Sequence, residues 1–385
     1  PLTVIERPAS DDLACLIYTS GTTGNPKGVM ITWGNLAFAA EGTLKLMPPV
    51  GEERFFSYLP LAHAFERGAV LGLSLYLGGE VHFLEQLEKL AEQLPQVAPT
   101  RFYGVPLVYG RFQAGVLKKM PQKKLERLMR IPVLSSLIRK KILKGLGLHE
   151  ARYVFSGAAP LPIPLMEWFQ KYLKLEVLQG YGMTENSIYA TANVPGQSRM
   201  GSVGKPLPNA GFKLSDADEI LFKHPGVMAG YYKEPEKTRE TFTEDGYLRT
   251  GDKGRVDEDG YVYITGRVKD IFKTLKGKYV SPAPIEGQLT RNTDIDQLCM
   301  VGMGLKQPLM LVSLMPGTTD SKSREDIEKE LAADMHFVNK KLEAHEQIAK
   351  IVVVKDAWTI DNGVMTPTMK VKRADFKTLT RRHAL

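Results

Sequence analysis

Eleven residues from Thr19 to Val29, TSGTTGNPKGV, hold three glycines, four hydroxyls and one lysine. Gly21, Gly24 and Gly28 allow close backbone approach, so main-chain N–H groups can converge on an anion. Thr19, Ser20, Thr22 and Thr23 add hydroxyl donors, and Lys27 adds a fixed positive charge. Such a set suits a polyphosphate. The spacing is not GxxxxGK[ST], so this is no P-loop. A glycine-rich surface turn would account for the glycines but not for the hydroxyls and lysine among them.

Further along, Gln179, Gly180, Tyr181, Gly182, Met183, Thr184 and Glu185 form one run. The two glycines flank an aromatic ring able to cover a purine. Thr184 brings a hydroxyl and Glu185 a hard oxygen ligand suited to Mg²⁺. Asp252 follows a Thr-Gly turn and can accept from both hydroxyls of a ribose, although an aspartate there can also simply cap the turn. Arg267 lies fifteen residues on, followed by Lys269 and Lys273 in GRVKDIFKTLKGKYVSPAPIE. Near the end of the chain, Lys370 sits in TPTMKVKR, ahead of a basic tail.

The elements that must position these residues are read from periodicity. Leu13–Tyr18 is apolar and predicts a buried strand. Strands are expected at 55–59, 81–83, 101–105, 153–155 and 176–178, with helices at 65–77, 84–94 and 164–173 between them. Alternation of this kind predicts a layered α/β sheet of parallel strands, whose ligands sit off the strands' carboxyl ends. After Gly201 the chain becomes β-rich, with Asp-Gly turns at 245–246 and 259–260 that predict antiparallel hairpins. Beyond residue 267 strands at 297–303, 309–315 and 351–354 surround a helix at 323–344, which predicts a small α+β domain. The expected division is therefore 1–200 for the α/β nucleotide- and acyl-binding part, 201–266 for a β-rich subdomain and 267–385 for a C-terminal domain.

Composition sets the outer limits. Hydrophobic residues make up 43% and charged residues 24% of 385, ordinary for a soluble globular protein of two or more domains. No apolar run reaches the roughly 20 residues that span a bilayer. Cys15 and Cys299 both fall in apolar runs, which points to a reduced, cytoplasmic protein without a disulfide framework. The net charge is +8, but no nucleic-acid-binding motif appears, and nucleic acid is not an expected partner. Much of the positive charge lies between Lys118 and Lys144, where ten Lys or Arg residues accompany one acid, Glu126. Apolar residues intersperse that segment, and Pro121 and Pro132 divide it into short helices. Peripheral contact with an anionic membrane is one reading of residues 118–144, and a solvated face packed on the body of the protein is the other.

Taken together, these runs resemble the adenylate-forming enzymes, the superfamily of acyl-CoA synthetases, luciferases and peptide-synthetase adenylation domains. The phosphate loop, the run at 179–185, Asp252, Arg267 and the lysine loop at 366–373 all stand in that superfamily's order. The resemblance implies a mobile C-terminal lid hinged at Lys269 and a catalytic lysine at Lys370. Lys273 would lie within reach of nucleotide phosphate. It implies that Gly157 and Ala158 line the adenine pocket, that Asp252 and Arg267 contact the ribose, and that Glu185 and Thr19 serve Mg²⁺. His63, in LPLAHAFER, would face the acyl pocket, with Thr184 and Glu185 beside the reacting groups. That wording, and Met369 before the lysine, are closest to long-chain fatty acyl-CoA synthetases.

The implied substrates are a fatty acid, ATP with Mg²⁺, and coenzyme A, in an AMP-forming ligase. An enzyme that loads a carrier protein, or a non-catalytic nucleotide- or acyl-binding relative, are the alternatives. Superfamily members normally carry a substantial N-terminal subdomain before the phosphate loop, so the resemblance also implies a piece of a longer chain.

Overall fold

The computed structural model describes residues 7–19, 26–292, 294–359, 361–366, 371–373 and 376. Its largest sheet has seven strands. In spatial order they are Glu80–Phe83, Arg54–Ser57, Arg101–Gly104, Tyr153–Ser156, Leu178–Tyr181, Thr191–Ala192 and Lys205–Pro206. The first five run parallel, and the last two add on antiparallel. Parallel strands need crossovers, which the helical segments between them supply. The longest crossover contains three helices, Pro106–Lys119, Gln122–Met129 and Pro132–Gly145. Proline begins the first and third of these at a position where its missing N–H costs nothing.

The principal core lies between this sheet and its helices, where Phe56, Phe102, Tyr109, Phe112, Trp168 and Phe169 interlock. Edge-to-face contacts of Tyr109 with Phe102 and with Phe169 fix its centre.

Several elements depart from the sequence expectation. Leu13–Thr19 is not a buried strand: it pairs antiparallel with Lys27–Thr32, which pairs in turn with Gly230–Tyr231. As an edge strand it has one open side, leaving Leu13 50% and Tyr18 59% exposed and Cys15 only half-buried. The strand expected at 176–178 is Leu178–Tyr181, because Gly180 and Tyr181 pair with Ala192 and Thr191. Gln179, Gly180 and Tyr181 are therefore strand residues and not loop residues. The helix expected at 65–77 is a π-helical turn, Glu66–Gly72, followed by an α-helical turn, Leu73–Leu77. The helix expected at 323–344 spans Arg324–Asn339. It ends early because the Asn339 side chain turns the chain back, accepting from Ile348 N–H at 2.8 Å and donating to Ile348 O at 2.9 Å.

After residue 205 come four antiparallel strands, Gly211–Leu214, Glu219–Lys223, Leu248–Val256 and Val262–Arg267, the last two joined through the Asp259-Gly260 turn. Residues past 267 build a three-stranded sheet of Ile295–Val301, Leu309–Leu314 and Lys350–Val353. The helices Pro282–Leu289 and Arg324–Asn339 cover it around Ile285, Leu289, Met310, Val312, Leu331 and Val338. Ser281 Oγ ties this part to the preceding strand by donating to Thr265 O at 2.6 Å.

Candidate nucleotide and acyl site

Parallel strands deliver their carboxyl ends to one edge of the sheet, and three of the candidate segments start there. Ser57 leads to His63, Ser156 leads to Gly157 and Ala158, and Tyr181 leads to Gly182 through Glu185. The close packing of these loops explains two glycines. A Cβ on Gly157 would come within 2.8 Å of the Phe65 ring, and one on Gly182 within 2.3 Å of Ile188 O. Ala158 sits at φ 65°, left-handed backbone beside that crowded turn. Ser187 and Ile188 also have φ of 53° and 56°. A β-branched residue there is held against its preference, directly after Thr184 and Glu185. No sequence pattern announces this strain.

The residues of the glycine-rich segment fall in two groups. Thr19 and Lys27 close the antiparallel pair as direct register partners. Ser20, Gly21, Thr22, Thr23 and Gly24 lie outside the described residues, as does Lys370. Lys27 Nζ lies 4.9 Å from the centroid of the Tyr231 ring. The Tyr231 hydroxyl donates to Glu185 Oε1 at 2.8 Å, and Met228 N–H donates to the Glu185 carbonyl at 2.9 Å. Tyr231 thus bridges the lysine that follows the glycine-rich loop to the carboxylate of the second run. Burial, then the charge of Glu185, push the Tyr231 phenol well above its ordinary range. Glu185 and Thr184 are buried. One carboxylate with a neighbouring hydroxyl suits Mg²⁺, which takes one or two protein carboxylates and fills its shell from water and phosphates. Among the described residues no three His, Cys, Asp or Glu side chains group into a metal cage.

Asp252 and Arg267 are paired by strand register, and Arg267 Nε donates to Asp252 Oδ1 at 2.8 Å. The Tyr181 hydroxyl donates to Asp252 Oδ2 at 2.7 Å, joining the four-stranded sheet to the main one. Burial and the Asp252 charge raise the Tyr181 phenol far above its usual range. Asp252 is almost wholly buried, whereas the Arg267 side chain is 50% exposed. Gln179, one strand position from Gly180, keeps a buried side-chain oxygen that finds no hydrogen-bond partner among the described residues.

After strand Arg54–Ser57, His63 Nδ1 accepts from Phe65 N–H at 3.4 Å, just before the π-helical turn. Turns of that type often mark functional segments. Glu66 begins it, fully buried, with Oε1 accepting from Tyr58 N–H at 3.0 Å and Oε2 without a partner among the described residues. Burial pushes this carboxyl up to about 7, against the opposing pull of Ser57, Tyr58 and Leu59. Glu66 stands beside His63 in LPLAHAFER, and nothing in that wording marks it as buried. Of the two candidate lysines after Arg267, Lys269 is exposed. Lys273 sits in the ribbon Phe272–Lys273, its ammonium 5.4 Å from the Tyr279 ring of the pairing strand.

The profile of the AMP-binding enzyme family matches residues 2–232, and that of the AMP-binding enzyme C-terminal domain matches residues 269–382. The chain belongs to the AMP-binding enzyme family. Within it, the chain is 33% identical over 420 residues to long-chain-fatty-acid--CoA ligase 6 of Rattus norvegicus, covering 96% of this chain and 60% of that protein. It is 32% identical to fatty acyl-CoA synthetase A of Dictyostelium discoideum, covering 97% of this chain and 63% of that one. The chain thus spans about 60% of the length of such relatives.

Among solved structures, ATP-bound MatB from Rhodopseudomonas palustris is similar with a TM-score of 0.73 at 26% identity, over 98% of this chain and 70% of that one. The anthranilate CoA ligase AuaEII, crystallised with anthranoyl-AMP, shares the fold with a TM-score of 0.78 at 24% identity, over 98% of this chain and 69% of that one. The layered α/β body with a small C-terminal domain is therefore the fold of adenylate-forming enzymes, and the chain's curated relatives include long-chain-fatty-acid--CoA ligases.

Proposed function

We propose that this chain carries the adenylation site of an ATP-dependent long-chain fatty acid–CoA ligase. The observation that supports it most is the single constellation formed off one sheet edge. Lys27, Tyr231 and Glu185 stand at its phosphate end, and Tyr181, Asp252 and Arg267 at its ribose end. Names of relatives supply the acyl class: the proteins at 31–33% identity include several long-chain-fatty-acid--CoA ligases.

In the proposed reaction a fatty acid carboxylate oxygen attacks the α-phosphorus of ATP, the bond to the β-phosphate oxygen breaks, and pyrophosphate leaves. The thiolate of coenzyme A then attacks the acyl carbonyl of acyl-AMP and AMP departs. Asp252 accepts from the ribose hydroxyls, with Arg267 and Tyr181 holding its orientation. Gly157, Ala158, Gln179, Gly180 and Tyr181 surround the base, and Gly182, Met183 and Thr184 follow it towards the phosphates. Thr19 to Gly24 and Lys27 grip the phosphate tail. Mg²⁺, held by Glu185 and Thr19, would supply neutralising charge to the phosphate oxygens. Lys370 meets the charge that builds at the α-phosphate, and His63 bounds the acyl group.

We place the lid at residues 267–385, the body at 1–200 and 201–266, and the pivot at Lys269, with Lys273 approaching phosphate as the lid turns. The separate core behind Met310 and Leu331 supports a part that can move as one piece. For localisation we infer an aqueous cytoplasmic compartment with peripheral membrane contact through residues 118–144. Among the described residues no helix is long and apolar enough to cross a membrane.

Trapping acyl-AMP with hydroxylamine tests the reading. Acyl-hydroxamate should form with ATP and long-chain acids, and its absence across all acids would end the proposal. Lys370→Ala should depress adenylation on the order of 100-fold or more, while thioester formation from supplied acyl-AMP persists. Equal loss in both half-reactions would remove Lys370 from its role.

A further inference from the structure

We infer that the helices Gln122–Met129 and Pro132–Gly145 dock on an anionic lipid bilayer. In this arrangement Ile131, Val133 and Leu137 enter the headgroup layer while flanking lysines meet lipid phosphates. The inference deepens the peripheral-contact reading of residues 118–144 and is independent of the ligase reading.

The helix Pro132–Gly145 has two apolar faces, and among the described residues only one of them is packed. Ile138 and Ile142 pack on the principal core, and Ser135 is buried beneath the same side. Residues three and four apart share a face of a helix, so Val133, Leu137, Lys140 and Lys144 form a second stripe. That stripe points outward. Val133 is 76% exposed, the highest value for a large hydrophobic side chain among the described residues, and Leu137 is 61% exposed. Ile131, just before the helix, adds to the same end, and Lys140, Lys141 and Lys144 are exposed at the other. An aliphatic tip followed within one or two turns by lysines matches the depth profile of a bilayer surface, with hydrocarbon inside and phosphate above.

Charge selects the partner. Residues 118–144 carry ten basic side chains and one acid. That acid, Glu126, is turned inward, with Oε1 accepting from Gln122 Nε2 at 2.8 Å and from the Tyr172 hydroxyl at 3.0 Å. On the neighbouring helix Lys123, Lys124 and Arg127 are exposed, which extends the positive field. Nucleic acid would also answer to positive charge, but residues 118–144 contain no Phe, Tyr or Trp on which bases could stack. Exposed aliphatic residues would have nothing to do there.

Co-sedimentation of the whole chain with vesicles tests this. The chain should bind phosphatidylcholine vesicles containing about 30% phosphatidylserine and ignore vesicles of phosphatidylcholine alone. Replacing Lys140, Lys141 and Lys144 together by Gln should weaken partitioning on the order of 100-fold, at about five-fold per lysine. Val133→Ser with Leu137→Ser should keep the attraction at low salt and lose the part that survives high salt. Both sets of variants should melt at the wild-type temperature, since the altered side chains face solvent. Equal binding to neutral vesicles, unchanged binding by both sets, or capture of single-stranded RNA without vesicle binding would each overturn the inference. Failure of vesicle binding with intact acyl-hydroxamate formation sinks this inference alone. Failure of hydroxamate formation with intact vesicle binding sinks only the ligase reading.

Discussion

Two acid–arginine pairs in this molecule have nearly the same bond length and quite different surroundings. Arg101 Nη2 donates to Glu53 at 2.9 Å, and Arg267 Nε donates to Asp252 at 2.8 Å. The first pair is closed. Arg101 is fully buried, donates to the carbonyls of Met47 and Pro48 at 3.0 Å, and stacks 4.4 Å from the Tyr153 ring. Thr100 Oγ1 donates to the other oxygen of Glu53 at 2.9 Å. That pair locks the chain before strand Arg54–Ser57 onto strand Arg101–Gly104 and offers nothing to a ligand. In the second pair only the carboxylate is buried, and half of the arginine faces solvent. A bond of the same length is thus structural in one place and available for exchange in the other. Exposure of one partner, not distance, separates them.

The largest effect expected is on the closed pair. Arg101→Met leaves Glu53 buried without its cation and should lower stability by about 3–5 kcal/mol, measured by chemical denaturation. The fraction that remains folded should bind nucleotide normally. Strong nucleotide loss with little destabilisation would reverse the roles assigned to the two pairs.

Glu66 is a third buried acid, and no cation pairs with it among the described residues. Its carboxyl is raised from 4.5 to about 7, so the unfolded chain gives up this proton at lower pH than the folded one. Between those values the folded state binds more protons, and stability falls as pH rises. The fall is complete above the folded value and amounts to about 3 kcal/mol. Glu66→Gln should remove this dependence. Variant and wild type should melt alike near the lower limit of the window, and the variant should be the more stable above pH 7. A parallel pH profile in the two proteins would show that another group is responsible.

Arg267→Met comes next. Asp252 stays buried and keeps the Tyr181 hydroxyl, and the site it loses opens to solvent on the arginine side, so stability should fall by about 1–2 kcal/mol, less than in Arg101→Met. Loss of the ribose-end orientation should cost about 10- to 100-fold in kcat/KM for adenylation, read from initial rates. A large drop in melting temperature would make this pair structural too. Tyr181→Phe, which removes one neutral donor to Asp252, should have the smallest effect, about 1 kcal/mol or a few-fold in nucleotide affinity by calorimetry.

Much of this arrangement is legible in the sequence because the motif residues cluster along the chain. The glycine-rich loop, the run at 179–185 and the Asp252–Arg267 spacing are each local, and alternating strands and helices announce where their loops emerge. What joins them is not local. Tyr231 reaches Glu185 across 46 positions and Tyr181 reaches Asp252 across 71, and neither tyrosine stands in a pattern that names its partner. The Glu53–Arg101 pair, 48 positions apart, is hidden for the same reason. Leu13–Tyr18 misled because an apolar run reports composition and not which side of a strand is covered. The left-handed backbone at Ile188 lies in close contact with Gly68 and Gly182, which propensity cannot foresee.

The central claim is that the Lys27–Glu185 and Asp252–Arg267 ends hold one ATP for attack by a carboxylate. Isotope exchange between pyrophosphate and ATP measures that step alone. Exchange should appear only when a long-chain fatty acid is present, and it should fall about 10- to 100-fold in Arg267→Met while the protein stays folded. Exchange that is absent with every acid, or that proceeds unchanged in Arg267→Met, would contradict the account.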